Sequence, residues 1–442
     1  MLENTTEAPG GYREVLANRR FLALWLAQVL SQIADNFLYF VLIVAVYRTT
    51  GSNTAVSGLV LSFTVPALTI GLLAGVIVDR VDKRQVLLLT NVARGATAIA
   101  FIFLTNNLPS VFLLGLITSS VRQLFMPAEA ATLPRLLRPK DLLAANSLFT
   151  LTYNASFIVG FAGAGPMLKL FGTDTVFVVA AAFFLVAAAL VATLPTVASD
   201  PRGDLPGSVV ARSRLVVREL LDGWAFLRRD RDVTRVMLQL AFAWSLSGIT
   251  AAIAPGYAST VLGLSEEDAF YLVVPAGVGV VLGSLAVGRY GGRFDRTLLI
   301  AAGLLGTGVA VVLLATYRRL LLELLPHVPN VLPEMHPGGL SGFLIAVMLF
   351  AALLGVSNAA TVIPANTSLQ EHTPDELRGR VFSVLNALGN VGSTAPVLVV
   401  GVLADLLGVG ALMTLIGAGI VAIGCLSVLP ALKRRQPQPQ TR

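Results

Sequence analysis

The stretch Gly71-Leu-Leu-Ala-Gly-Val-Ile-Val-Asp79-Arg80-Val-Asp82-Lys83-Arg84 closes the second of a series of long apolar segments. Gly283-Ser-Leu-Ala-Val-Gly-Arg289-Tyr-Gly-Gly-Arg293-Phe-Asp295-Arg296 closes the eighth, 283 − 71 = 212 residues later. Both run from small apolar residues into a short turn rich in arginine and aspartate. A second echo, Pro127-Ala128 and Pro364-Ala365, is spaced by 364 − 127 = 237 residues. The offsets differ by 237 − 212 = 25, almost the length of the 317–340 loop, whose counterpart is only the 106–109 turn. One inserted loop reconciles them, so the chain reads as two parallel copies of a six-segment unit.

Around these anchors, apolar stretches long enough to cross a bilayer fall at 20–47, 54–78, 85–105, 109–131, 145–171 and 174–196, then at 236–262, 268–290, 297–316, 341–366, 381–406 and 409–430. Of the 442 residues, 55% are hydrophobic and 13% charged, and the mean hydropathy is +0.78. Such a chain is built for lipid. No water in the hydrocarbon core satisfies a bare backbone, so spans are helices or closed barrels; runs of about 20 apolar residues select helices. The expected fold is all-α and polytopic, with twelve transmembrane helices in two pseudo-symmetric halves, 1–198 and 236–442, and a polar inter-half linker at 199–235. Within the linker, Arg214 to Arg229 reads either as an amphipathic helix on the inner leaflet or as plain connection.

With the N-terminus inside, the inner loops hold Arg80, Lys83, Arg84, Arg135, Arg138, Lys140, Arg289, Arg293, Arg296, Arg378 and Arg380, and the C-terminal tail adds Lys433, Arg434 and Arg435. The outer loops hold few positives, and Glu266, Glu267 and Asp268 cluster there. The positive-inside rule therefore predicts both termini in the cytoplasm and a place in the cytoplasmic (inner) membrane. The first 20 residues lack an apolar core and a small-residue cleavage site, which reads as a retained tail.

The net charge of +7 does not point to nucleic acid, because the positives lie in inter-span loops and the 7% aromatics sit in apolar runs. A single cysteine, Cys425, excludes a disulfide framework and any Cys-based metal site. None of the lysines, 83, 140, 169 and 433, follows a glycine, so there is no P-loop and no ATPase in this chain. His327 and His336 in an outer loop and His372 in an inner one form no catalytic or HExxH arrangement. No cofactor, metal or enzymatic activity is expected.

The run Gly75 to Arg84 resembles the signature of the loop between spans two and three in the major facilitator superfamily. That resemblance implies a conformational gate at Gly75, Asp79, Arg80, Lys83 and Arg84, with Arg293, Asp295 and Arg296 in the second copy, where Gly291 stands in place of Asp79. Ile158-Val-Gly160-Phe-Ala-Gly163-Ala-Gly165-Pro166 looks like the Gly-Pro motif of the family's drug:proton antiporters, although Met167 and Leu168 replace the usual glycines that follow. Phe125-Met-Pro127-Ala128 through Leu133-Pro134 to Ala145-Asn146-Ser147-Leu148, with Leu369-Gln370-Glu371 through Arg378-Gly379-Arg380, resembles macrolide-efflux-like exporters. The same elements, with Ser31 and Asp35-Asn36, are also similar to bacterial lysophospholipid transporters. The family implies a functional monomer, a small-molecule substrate, protons and the lipid bilayer as partners, and rocking of two halves around a central site.

Ionisable groups inside spans are functional candidates. Asp35 lies about 22 Å along span one at 1.5 Å per residue, and Gln28, Gln32, Asp35 and Tyr39 recur at helical spacing, with Asn36 beside them. An aspartate there is either a proton-coupling group or a structural partner in an ion pair. Arg122 in span four reads as a cavity group that either pairs with an acidic group or receives an anionic substrate; Arg94 and Glu129 read either as gate or loop partners or as snorkelling or ion-paired side chains. Asn154, Trp244, Asn358 and Asn386 are further cavity candidates, each also readable as an interhelical hydrogen-bonding or packing residue. The function expected is export of amphiphilic or cationic small molecules by proton antiport, against lysophospholipid flipping or a transporter-like regulatory partner.

Overall fold

The computed structural model describes residues 12–196, 231–324, 342–373, 385 and 396–434. Most of the 199–235 linker, most of the 317–340 loop, Asn386 and the 378–380 arginines lie outside the described residues. Every long described element is a helix: α1 Tyr12–Ala17, α2 Arg19–Thr50, α3 Asn53–Asp79, α4 Lys83–Leu104, α5 Leu108–Leu136 and α6 Leu142–Ala192. They are followed by α7 Arg231–Gly256, α8 Phe270–Tyr290, α9 Arg296–Leu324, α10 Gly342–His372, α11 Pro396–Leu407 and α12 Val409–Arg434.

Nine described helices are long and apolar enough to cross a membrane, ten when the bent pair Thr234–Thr250 and Ala252–Leu262 is one span. The Pro139–Ala192 stretch counts once among them, yet it breaks at Gly172, whose φ of 80° is one that L side chains rarely adopt. That break falls between the fifth and sixth spans read from sequence. With Pro396–Leu407, a shorter apolar helix, the described segments match the twelve expected.

Local chemistry sets the ends. Asp82 caps α4 by accepting from the Arg84 N–H at 2.9 Å, and Asn107 caps α5 by accepting from the Ser110 N–H at 3.2 Å, with Pro109 in the first turn. In the second copy Asp295 does the same for α9, accepting from the Leu298 N–H at 3.1 Å. The aspartates of the repeated turn are thus helix starters before they are anything else.

The contacts divide the chain into two units, one taking in 1–49 and 58–214, the other 50–57 and 215–442. In the first, α4 packs on α5 and α6, and Leu24, Leu87, Phe125, Ala187 and Val191 belong to one buried cluster. Span five comes tightly onto span one: a Cβ on Gly160 would overlap the Cβ of Asn36. Gly160→Val is therefore expected to force α6 off α2 and to cost about 1–3 kcal/mol, read as a lower melting temperature of the purified protein.

In the second unit α9 packs on α10 and α12, and α8 on α10. The closest approach of α8 and α10 relies on glycine, since a Cβ on Gly355 would strike the Ala276 carbonyl and one on Gly283 would lie 2.8 Å from Val356 Cα. The start of α3 also belongs to this unit. There the Asp405 carboxylate, near the end of α11, accepts from Ser52 Oγ (2.6 Å), Asn53 N (2.8 Å), Asn53 Nδ2 (2.9 Å), Thr54 N (3.0 Å) and Thr54 Oγ1 (2.7 Å). An anion on the first N–H groups of a helix satisfies donors that have no partner within the helix. Asp405→Ala should destabilise the protein by about 1–2 kcal/mol, the cost of a lost N-cap, with Asp405→Asn intermediate in the same melting assay.

Candidate functional site

The centre of the first unit is polar where lipid-facing helices are not. On α2, Gln28, Gln32 and Asp35 are 3%, 6% and 8% exposed, so the polar stripe expected from sequence faces the unit's interior. On α4, Arg94 is 1% exposed, the largest fully buried side chain. Arg94 NH1 donates to Asp35 Oδ2 at 2.9 Å, NH2 donates to Asn91 Oδ1 at 2.8 Å and Nε donates to the Thr90 carbonyl at 3.2 Å. Its guanidinium also lies over the rings of Phe125 and Phe184, 4.6 and 4.8 Å from their centroids. Asn91 Oδ1 takes a second bond, from Ser31 Oγ at 2.7 Å. Arg94 is thus clamped on every side, as a charge buried this deeply must be.

Arg122 of α5 approaches the same carboxylate oxygen, Nε to Asp35 Oδ2 at 3.4 Å, and its side chain is 35% exposed. One carboxylate therefore serves two guanidiniums of different character. Arg94 is fixed by Asn91, Thr90 and two aromatic faces and stays in place whatever Asp35 does. Arg122 has no comparable clamp among the described residues. Protonating Asp35 would remove the charge that holds Arg122 while leaving Arg94 anchored.

Of the two readings the sequence leaves for Arg94, gate contact or ion pair, the structure shows the ion pair, with Asp35. Tyr39, one turn beyond Asp35, is half-buried and packs edge-on against Phe63, centroids 5.5 Å apart. Asn36 points away from the cluster, its Nδ2 donating to the carbonyls of Gln32 (2.9 Å) and Ser156 (3.1 Å), which makes it part of the α2–α6 packing. Asn154 lies on α6, its side chain outside the described residues, as is Asn386. In the second unit Asn358 Nδ2 donates to the Ala243 carbonyl at 3.5 Å, and neighbouring Trp244 packs against the Met237–Leu240 cluster.

Among the gate residues, Lys83 Nζ donates to the Asp79 carbonyl at 3.0 Å and Arg84 donates to the Ala192 carbonyl. Asp79 and Arg80 are exposed. A Cβ on Gly75 would meet no described atom within 4 Å, so close helix contact is not what this glycine provides; Gly71 meets only the Gln123 side chain, at 3.5 Å, whereas its counterpart in the second copy, Gly283, lies against the α10 backbone. Arg293 stacks on Tyr290, 5.6 Å from the ring centroid, and Arg296 pairs with Glu371. Gly165 and Pro166 lie within α6, ahead of its break at Gly172. Sequence reasoning missed Asn91 and Phe184; Asn91 was available as the residue three before Arg94, one helical turn away.

A buried, doubly paired aspartate in the first span of a two-copy helical bundle is the kind of group that transporters carry. Residues 24–325 match the family model of the Major Facilitator Superfamily. The chain belongs to the major facilitator superfamily. Relatives of this superfamily protein include the uncharacterized MFS-type transporter YfiS of Bacillus subtilis (strain 168), 24% identical over 92% of each chain. The enterobactin exporter EntS of Shigella boydii serotype 18 is 26% identical over 95% of this chain and 94% of its own. Among solved structures, the nucleoside transporter NupG superposes with a TM-score of 0.70 at 12% identity, covering 93% of this chain and 98% of its own. The POT family transporter PepTSo gives 0.66 at 14%, covering 95% and 99%. These two share the fold. The protein is thus a membrane-embedded transporter of this superfamily, with exporters among its homologues.

Proposed function

We propose that this protein exports amphiphilic, cationic small molecules from the cytoplasm in exchange for protons, with Asp35 as the group that proton and substrate share. The observation that carries this reading is the single Asp35 carboxylate, 7% exposed on its side chain, held by the fixed Arg94 and the looser Arg122. Antiport requires that proton and substrate exclude one another, and one carboxylate shared by both enforces that: protonated, it has no charge for a cation; ionised, it accepts either Arg122 or the substrate's cation. The likeness to an enterobactin exporter supports the outward direction. In this reading the halves 1–198 and 236–442 rock about the site as a monomer, joined by 199–235, with both termini in the cytoplasm of the inner membrane, the loop residues around Asp79–Arg84 and Arg293–Arg296 breaking and remaking their contacts as the gate.

A second reading is favoured by Arg122 itself. A guanidinium 35% exposed beside a neutralisable carboxylate can receive a phosphate, as a lysophospholipid transporter would need. The two readings differ in the sign of coupling. A cation competes with the proton at Asp35, whereas an anion on Arg122 is helped by protonation of Asp35, which frees that arginine.

Purified protein in proteoliposomes with an imposed pH gradient separates them, with a cationic dye, a fluorescent lysophospholipid and enterobactin offered in parallel. Dye movement opposite to the proton gradient is the expected result. Lipid movement that ignores the gradient, with no dye movement, would replace the antiporter by the flippase.

A further inference from the structure

Two turns along from the Asp35–Arg122 pair, the first unit holds a second buried carboxyl group that the coupling scheme above does not use. Glu129 of α5 is 7% exposed, and its Oε1 has no hydrogen-bond partner among the described residues. Gln28 of α2 is 3% exposed, and its Oε1 is likewise without a partner. Consecutive spans cross in opposite directions, so α2 and α5 run antiparallel. Gln28 lies seven residues before Asp35, and Glu129 seven residues after Arg122. Seven residues are nearly two full turns and about 10 Å. Because Asp35 and Arg122 touch, both steps arrive at one level and on nearly the same faces that made the first contact.

That level therefore carries two buried acceptor oxygens, neither of which accepts a hydrogen bond among the described residues. The charged group acting on Glu129 from the neighbouring helix is Arg94 of α4, with Asp35 of α2 and Arg122 of its own helix one level away. Arg94 is no partner in this state, because NH1, NH2 and Nε are taken by Asp35, Asn91 and Thr90. A bare carboxylate and an unpaired amide oxygen in the membrane interior are each costly, by roughly 1–3 kcal/mol for the amide and more for the charge. One proton removes both costs: a carboxylic acid O–H donates, and an amide oxygen accepts.

We propose that Glu129 is a second protonatable station of the transport site, holding a proton against Gln28 Oε1 while Asp35 holds Arg94. Resting on the antiport reading, the cycle then has two carboxyl groups and one clamped guanidinium between them. When Asp35 takes up a proton, Arg94 NH1 loses its anion. Glu129 gives its proton to water on the Leu136 side, its O–H bond breaking as a hydronium forms, and the resulting carboxylate supplies the anion that Arg94 has lost. Net charge around Arg94 is unchanged across the exchange, which keeps the proton step inexpensive in a low dielectric.

Infrared spectroscopy of the full-length protein in lipid nanodiscs tests this without a transport substrate. At neutral pH the wild type is expected to show a protonated-carboxyl C=O band that persists in Asp35→Asn, disappears in Glu129→Gln and shifts in Gln28→Leu as its hydrogen bond is lost. If Glu129→Gln does not fold, Glu129→Asp serves, moving the band instead of removing it. In proteoliposomes, gradient-driven transport of the cationic dye by Glu129→Gln should fall about tenfold relative to gradient-free exchange by the same variant. A merely structural role would depress both equally. Identical infrared spectra for wild type and Glu129→Gln would overturn the proposal. Failure of proton antiport altogether would leave the Glu129 band in place, so the two readings fail separately.

Discussion

Asp35→Asn should reduce gradient-driven transport to the level of protein-free liposomes while leaving insertion and folding intact. The amide still offers Arg94 NH1 an acceptor oxygen, and Arg94 keeps Asn91, the Thr90 carbonyl and its two aromatic faces. Arg122, already 35% exposed, keeps its hydration. What disappears is the carboxylate proposed to bind a proton and a cation in turn. Gradient-free exchange of a neutral amphiphile should survive, because uncoupled exchange needs no proton site. Melting temperature and gel-filtration profile close to wild type, with coupled transport gone, is the full expected result. Coupled transport at the wild-type rate would remove Asp35 from the mechanism and leave the architecture untouched.

The largest effect on stability belongs to Arg94→Met. It keeps the length of the side chain but leaves Asp35 with only the partial attention of Arg122 at 3.4 Å, and leaves Asn91 Oδ1 with only Ser31 as donor. Removing one partner of a buried ion pair costs about 3–5 kcal/mol, because the other charge stays buried. The double variant Asp35→Asn with Arg94→Met should recover much of that loss, giving a coupling energy of about 1–3 kcal/mol in a double-mutant cycle. Simple additivity of the two single changes would mean that the pair contributes no mutual stabilisation. By contrast, Arg122→Gln should leave the melting temperature near wild type and alter transport, since that arginine is the mobile member of the three.

The repeat and the spans were legible because lipid imposes a strong pattern: long apolar runs, positives in the turns and the same turn chemistry twice. Asp35 was legible for the same reason, a charge where charges are costly. Its partners were not. Depth along a helix follows from counting residues, but the rotation of α4 about its own axis does not, so the sequence leaves Arg94 open between a gate contact and an ion pair, and only the fold shows that the pair is with Asp35 of α2. Gly71 and Gly283 show the same limit from the other side. They occupy equivalent places in the repeat, yet only Gly283 has a backbone pressed against it, that of α10. Asp405 reads from sequence as an interfacial charge near a span end. Its role as the cap of a helix that begins 352 residues earlier follows only once the chain is folded. The start of that helix did carry a hint, because Ser52-Asn53-Thr54 after Gly51 is the composition of a helix N-terminus awaiting an acceptor.

The most direct test of proton and substrate sharing Asp35 is a count of protons. Purified protein in weakly buffered detergent solution with a pH indicator is mixed with the cationic dye near neutral pH. If the two ligands compete for one carboxyl group, dye binding releases protons, the release vanishes in Asp35→Asn, and dye affinity in the wild type falls as the pH is lowered. Dye binding with no proton release, or with proton uptake, would contradict antiport at Asp35.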